Sequence, residues 1–339
     1  MLAPSPPVQA PRRAAHRVRW LLVAVAGLLA VSVLSIMVGS KYIPLPEVLR
    51  LLGDDPAAGE DAAIVNGMRL SRTLFGVAVG VSLGIAGALM QGLTRNPLAD
   101  PGLLGVGAGA ALGVVLTTSV FGVTALFGYI WFAFAGALAA TVVVYLLGGP
   151  HPARLALAGA AVSALLQSII SSLLLLDSST LDQYRFWAVG SLNVPDSSVL
   201  LQVLPFLVLG LVLALLTAPG LNMLALGDDV AKSLGQNVTG VRIRGAVAIT
   251  LLAGGATAVC GPIAFIGLVV PHIARAITGP DQRWVLAYSA VLAPVLLLGA
   301  DILGRVVAEQ REIHVGIVVA FLGAPFFIAL VRRRKLPEL

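Results

Sequence analysis

The ionisable and polar residues of this 339-residue sequence are sparse, and their spacing bounds the chemistry available. His16, His151, His272 and His314 fall in different segments, with no HExxH spacing and no close cluster of cysteines or carboxylates, so no metal site is expected. Cys260 is the single cysteine. Without a disulfide or CxxC partner it reads as a small apolar filler. No GxxxxGK(S/T) phosphate loop occurs, so the chain is not expected to hydrolyse ATP, although a separate ATPase could drive it. No nucleophile and base stand at a useful spacing, and no catalytic residue is expected.

Two other groups carry chemistry of recognition rather than reaction. Ser163, Gln167 and Ser171 recur every four residues, with Ser168 and Ser172 beside them, and so form one polar stripe on a helix. The stripe can wall a substrate path or hydrogen-bond to neighbouring helices, and both readings stand. Arg69 and Arg72 flank the outer start of one apolar run, and Arg305 lies near the outer end of another beside Asp301. These cations can snorkel to an interface or engage acids on an extracytoplasmic partner. Asp301 is the only carboxylate well inside a predicted span; 17 residues past Trp284, it lies about 25 Å along the helix, near the outer surface. Ion-coupled carriers usually bury ionisable groups near mid-membrane, so this position argues against a proton- or sodium-coupled carrier.

The elements that position these residues must sit in lipid. Hydrophobic residues make up 58% of the chain and charged residues 11%, and the mean hydropathy is +0.97, far beyond what a soluble domain buries. A bilayer crossing needs about 20 apolar residues. Such runs occur at 20–40, 70–93, 102–120, 124–147, 154–176, 199–218, 241–262, 263–277, 284–307 and 315–331, which predicts an all-α integral membrane fold of about ten transmembrane helices. The run 263–277 contains Pro271 and His272, is short, and could be a half-helix or re-entrant segment. The first run follows Arg12, Arg13, Arg17 and Arg19 but is about twice the length of a signal-peptide core, so it is expected to remain in the protein.

The net charge of +6 sits at segment ends rather than in one patch, which points to topology and not to nucleic acid. With ten crossings, fifteen of the 22 basic residues fall on one side and seven on the other. The positive-inside rule then puts both termini in the cytoplasm. The expected organisation is a basic cytoplasmic tail at 1–19, a permease domain at 20–331 and a second basic tail at 332–339. The inner loop 220–240 carries Leu224, Ala225, Val230, Ala231 and Leu234 in an amphipathic phase broken at Gly227 and Gly235, which predicts a pair of short helices on the cytoplasmic face. The outer loop 177–198 carries the aromatic cluster Tyr184, Phe186 and Trp187. Gly76, Gly80 and Gly84, and likewise Gly105, Gly109 and Gly113, predict tight helix packing. Small residues before paired Gly and Pro breaks in each half form a faint internal repeat.

Three stretches are more specific than composition: MRLSRTLFGVAVGVSLGIAGALMQGLTRNPLADPGLLGVGAGAALG from Met68 to Gly113, GPIAFIGLVVPHIAR from Gly261 to Arg275, and VGIVVAFLGAPFFIALVRRR from Val315 to Arg334. With RFWAVGSL from Arg185 to Leu192, they resemble the iron-siderophore and cobalamin class of ABC importer permeases, and the wording is most similar to permeases of the ferric-enterobactin type. The resemblance implies a ten-helix subunit in the bacterial cytoplasmic membrane. It implies as partners a like or identical second permease, two cytoplasmic ATPases carrying ATP and Mg, and an extracytoplasmic binding protein; the chain itself holds no cofactor. It also implies roles for particular residues. Leu224, Gly227, Asp228, Ala231, Leu234 and Gly235 match the family's ATPase-coupling segment, and Arg69, Arg72 and Arg305 match arginines that meet glutamates on the binding protein. Asn96, Pro97 and Leu98 match an inner gate. The second gate position reads Pro152 and Ala153, without the hydroxyls of some relatives, and Ser71 stands where the family often has proline. The expected function is import of a ferric siderophore, with Ser163, Gln167 and Ser171 along the path; haem or cobalamin import by the same architecture is the alternative, and an ion-coupled carrier is a further one.

Overall fold

The computed structural model describes residues 10–53, 59–123, 125–149, 151–194, 198–307 and 312–332, with the side chains of 10–14, 126, 330 and 331 left aside. Residues 1–9 and 333–339 of the expected tails, together with Asp54, Asp55, Asp196, Glu309 and Arg311, lie outside the described residues. Among the described residues seven helices are long and apolar enough to cross a membrane, and three shorter apolar helices, Val106–Phe121, Ile266–Thr278 and Val315–Ala329, complete the expected set of ten.

In chain order the helices are α1 (Ala10–Met37), α2 (Leu45–Leu51), α3 (Glu60–Thr94), α4 (Val106–Phe121), α5 (Leu126–Gly148), α6 (Pro152–Leu176), α7 (Ser178–Ala188), α8 (Ser198–Leu224), α9 (Asp228–Ser233), α10 (Val238–Cys260), α11 (Ile266–Thr278), α12 (Gln282–Val307) and α13 (Val315–Arg332). Several run past the apolar windows. Helix α1 starts at Ala10 rather than at Trp20, so the part of the expected tail from 10 to 19 is helical. Hydropathy marks the portion of a helix that needs lipid, and a helix once nucleated continues into its solvated, arginine-bearing turns. Helix α3 likewise begins ten residues early and passes through a π-turn at Ala63–Arg69. Helix α2, with Pro at its start, packs Val48 and Leu51 against Ile43, Ala62 and Val65 as a small separate core over this end of the bundle.

Helix α3 is the hub. A Cβ on Gly80 would meet the backbone of Pro294 at 2.5 Å, one on Gly84 would meet Ser289 and Ala293, and one on Gly76 would meet Leu298, so the glycine stripe is the seat of α12. Gly87 packs backbone to backbone on Gly267 of α11 in the same way. Gly109 and Gly113 of α4 face the carbonyls of Gly136 and Phe132 on α5. Without a hydrophobic drive between helices in lipid, such backbone approach supplies the dispersion contacts that hold them.

The weak run 263–277 resolves into two parts. Helix α10 ends at Cys260, whose carbonyl accepts from Ser191 N at one end of the bundle. A non-helical stretch follows, Phe265 takes φ 66°, and α11 begins only at Ile266. Its 13 residues span about 20 Å, short of a full crossing, yet Gln282 at the start of α12 lies beside Gly92, near the opposite end of α3. The non-helical stretch and the short helix therefore cross together. In the loop after α6, Asp177 caps α7 by accepting from Ser179 N at 3.0 Å and Thr180 N at 3.2 Å. The hydroxyls of Thr180 and Ser179, which also bond it, hold that carboxyl below its usual range.

Candidate functional site

The three arginines expected at the outer face come together, but not as free cations. Arg69, Arg72 and Arg305 are 6%, 8% and 5% exposed. Arg72 donates Nη2 to Asp301 Oδ1 at 2.8 Å and Nε to Oδ2 at 3.0 Å, and its Nη1 reaches Glu312 Oε2 at 2.5 Å. Arg305 Nε stands 3.2 Å from Asp301 Oδ2, a Coulombic contact whose N–H is not aligned as a hydrogen bond. Its Nη1 donates to the carbonyls of Ser35 and Val38, both at 2.9 Å. Arg69 donates to the carbonyls of Ile36 at 2.9 Å, Met37 at 3.0 Å and Lys41. Arg69 and Arg305 thus satisfy the orphan carbonyls at the C-terminus of α1, where positive charge is also favoured by the helix dipole. Glu312 is the half-exposed member of the cluster, its side chain 43% exposed.

At the opposite end of α3 the chain turns through Arg95, with φ 51°, into Asn96, Pro97 and Leu98. Asn96 is exposed, and its Oδ1 accepts from Leu98 N at 2.9 Å, which locks the turn. Pro152 approaches this turn: it lines a cavity of about 20 Å³ with Leu93, Thr94, Leu104 and Tyr145, so both expected gate positions occupy one end of the bundle. Ala153 is exposed beside Pro152.

The expected coupling segment joins the same end. Gly227, with φ 101°, and Gly235, with φ 81°, break the chain as expected, but one six-residue helix, α9, stands between them rather than a pair of helices. Helix α8 runs through Pro219 and Gly220 to Leu224, which shortens the loop. Leu224 and Ala231 are 1% and 0% exposed and face the bundle. The outward apolar face is Leu226, Val230 and Leu234. Asp228, in the first turn of α9, lies 2.9 Å from Arg242 Nη2 and 3.5 Å from Arg95 Nη2. This carboxylate ties α9 to the residue that precedes Asn96, a link that separation along the chain concealed.

The polar stripe of α6 lies on a largely uncovered face: Gln167 and Ser171 are exposed and Ser163 is partly so. Ser168 and Ser172 donate to the carbonyls of Ala164 and Ser168 within their own helix. Within the aromatic cluster Trp187 is buried and Phe186 is exposed. Helix α13 also has an open face, at Ile317, Phe321 and Ile328. Two short segments adjoin these helices, the 3-10 turn Pro101–Leu104 and the non-helical stretch before α11. Leu103 abuts Gly159 of α6, and Phe265 abuts Gly323 of α13.

One residue there escaped the sequence reading. Asp100 lines a cavity of about 160 Å³ with Leu83, Gly102, Thr257, Pro262 and Gly267, and its Oδ1 accepts from Gly102 N at 2.8 Å. Leu83 lies 14 residues past Arg69 and 11 before Thr94 on α3, so Asp100 borders a cavity midway between the arginine cluster and the Asn96 turn, and the argument against ion coupling drawn from the lack of such a carboxylate lapses. The signal was present in Asp100-Pro101, a capping residue before a helix-starting proline, which the run 102–120 left just outside. Among the described residues no three His, Cys, Asp or Glu side chains converge in a group that could hold a metal ion.

Comparison with known proteins gives the arrangement its context. Residues 27–333 match the model of the FecCD transport family. The chain is 46% identical over 92% of its length, and 96% of the relative's, to the ferric enterobactin transport system permease protein FepD of Escherichia coli (strain K12). It is 40% identical over 96% of its length and 98% of the relative's to the Fe(3+)-citrate import system permease protein YfmD of Bacillus subtilis (strain 168). It is 41% identical over 79% of its length and 83% of the relative's to the hemin transport system permease protein HmuU of Yersinia pestis. A solved inward-facing conformation of a metal-chelate type ABC transporter superposes with a TM-score of 0.84 at 27% identity, covering 92% of this chain and 98% of that one. A bundle with a charged end, an opposite end built from a locked turn and a short linked helix, and similarity to these permeases over most of the chain lead to one conclusion: the chain belongs to the FecCD transport family and is the membrane-spanning permease subunit of an ABC importer.

Proposed function

We propose that this subunit imports a ferric siderophore across the bacterial cytoplasmic membrane. It works with a second permease, identical or homologous, two cytoplasmic ATPases that bind ATP and Mg, and an extracytoplasmic binding protein. The observation that carries the substrate class is the 46% identity to a ferric enterobactin permease over nearly all of both chains. Haem is the second reading, favoured by the hemin permease at 41% identity.

The Asn96 end and both termini face the cytoplasm in this reading, since Arg95, Arg154, Lys232, Arg242, Arg244 and Arg275 gather there. The ATPase seats on Leu226, Val230 and Leu234, while Leu224, Gly227, Ala231 and Gly235 shape the α9 segment from within. Movement of α9 passes through Asp228 and Arg95 to Asn96, Pro97 and Leu98, which with Pro152 and Ala153 close the path against the second permease. Ser163, Gln167 and Ser171 line that path from α6. Docking falls to the outer cluster of Arg69, Arg72 and Arg305. Because all three guanidiniums already have partners, an acid of the binding protein engages Arg72 by taking the place of Glu312, a carboxylate-for-carboxylate exchange that never strips the cation bare.

The test is uptake into liposomes holding the assembled complex, with the binding protein loaded with ferric enterobactin or with haem. ATP-dependent accumulation of the ferric siderophore in preference to haem is expected; the reverse preference would transfer the assignment to haem.

A further inference from the structure

Helices α5 and α10 touch where Gly254 faces Ala137 and Phe134. Toward the Tyr145 end the space between them opens into a wedge of about 220 Å³ lined by Leu138, Val142, Leu146, Ile243, Ala246 and Val247. Val142, Leu146, Ile243 and Val247 are exposed, so the wedge opens to the surrounding bilayer. Its apolar walls suit an acyl chain.

The same end holds polar groups that the fold leaves unsatisfied. Tyr145 Oη, Arg242 Nε and Arg244 Nε are each buried without a hydrogen-bond partner. Such groups are costly away from water and mark places where a partner is missing. Arg154 is exposed, and its backbone abuts Gly148, almost one turn beyond Tyr145 on α5. Asp228, the carboxylate paired with Arg242, is shared with Arg95, so positive charge exceeds negative around the mouth.

We propose that this wedge binds one anionic phospholipid of the cytoplasmic leaflet. An acyl chain fills the wedge, and the phosphate meets Arg154 and Arg244 with the Tyr145 hydroxyl turned toward it. Long arginine side chains reach the headgroup level while their stems cover apolar surface. Basic pockets between membrane helices on the cytoplasmic side recruit anionic headgroups for this reason. A zwitterionic lipid would fill the wedge but bring its own cation to the mouth, and free phosphate would gain nothing from the walls. Since Arg242 lines the cavity behind Tyr145 and pairs with Asp228 of α9, the lipid stands one ion pair from the segment assigned above to ATPase coupling. The leaflet rests on the orientation proposed above; the binding itself does not.

The experiment is native mass spectrometry of the purified permease complex released from nanodiscs of equal phosphatidylglycerol and phosphatidylcholine. Wild type should retain phosphatidylglycerol over phosphatidylcholine by about fivefold per contributing cation. The double variant Arg154→Gln and Arg244→Gln should lose the preference while keeping total lipid, and Ala246→Trp, which fills the wedge, should lose both lipids. Should Ala246→Trp fail to assemble, Tyr145→Phe supplies the check, with a reduced preference expected. Equal retention of the two lipids by wild type, an unchanged preference in the double arginine variant, or displacement of the lipid by inorganic phosphate would overturn the proposal. A bound lipid found with the opposite leaflet exposed would overturn only the orientation.

Discussion

Arg72 and Asp301, 229 residues apart in sequence, meet as a two-point buried ion pair, with donor–acceptor distances of 2.8 and 3.0 Å. Asp301 is wholly buried and serves Arg305 as well. The pair joins α3 to α12 at the end where Arg69 and Arg305 cap α1, so three membrane helices are registered by one charged cluster.

Removing the shared carboxylate leaves two buried guanidiniums short of a counter-charge. Asp301→Asn should therefore destabilise the subunit by about 3 to 5 kcal/mol, the scale for breaking a buried pair. Glu312→Gln, which deletes the half-exposed partner, should cost under about 1 kcal/mol. Unfolding of the purified permease in mild detergent measures both. Equal and small losses would mean that the cluster does not hold the helix ends.

Glu312 also sets a prediction for docking. If an acid of the binding protein must take its place on Arg72, Glu312→Gln should raise binding-protein affinity, by no more than about fivefold for an exposed pair. Arg72→Gln should lower it, most clearly at low ionic strength where screening is least. An unchanged affinity in Arg72→Gln would remove the docking role; a fall in Arg72→Gln without a rise in Glu312→Gln would keep docking but reject the exchange.

The helices were largely legible because lipid demands long apolar runs, and glycine spacing marked tight packing on α3, though only the structure shows that α12 is the partner. What stayed hidden has physical reasons. Hydropathy windows record immersion, so the solvated turns of α1, the π-turn before Leu70 and the amphipathic α2 fell outside them. An amphipathic phase identifies a stripe but not its direction: Leu224 and Ala231 turned inward while Leu226 and Val230 face out. Arg69, Arg72 and Arg305 do share one end of the bundle, but α3 begins nine residues before Arg69, and their burial depends on backbone carbonyls of a helix end more than 30 residues away, a partner that side-chain identities do not display.

The coupling route proposed above runs through Asp228, the carboxylate between Arg95 and Arg242. Asp228→Asn should leave the ATPase bound through Leu226, Val230 and Leu234 but lower transport per ATP hydrolysed about tenfold or more, since two ion pairs weaken at once. Leu226→Asp with Leu234→Asp should instead release the ATPase, read by co-purification. Full coupling in Asp228→Asn would show that α9 reaches the gate by another route.

The gate reading predicts that Asn96→Cys in both permeases of a complex, with Cys260→Ala as background, crosslinks across the path in the resting transporter. Import should stop when the crosslink forms and return on reduction. Undiminished import through a fully crosslinked pair would place the gate elsewhere.

The central claim is that this chain is the channel of an ATP-driven ferric-siderophore importer, and reconstituted flux tests it most directly. Liposomes containing the permease with its ATPase should take up radiolabelled ferric enterobactin only with binding protein and ATP present. Uptake should be abolished by an ATPase variant that cannot hydrolyse ATP and untouched by collapse of the proton and sodium gradients. Uptake that persists without the ATPase and disappears with an ion gradient would contradict the account, and Asp100 would then be the first carboxylate to replace.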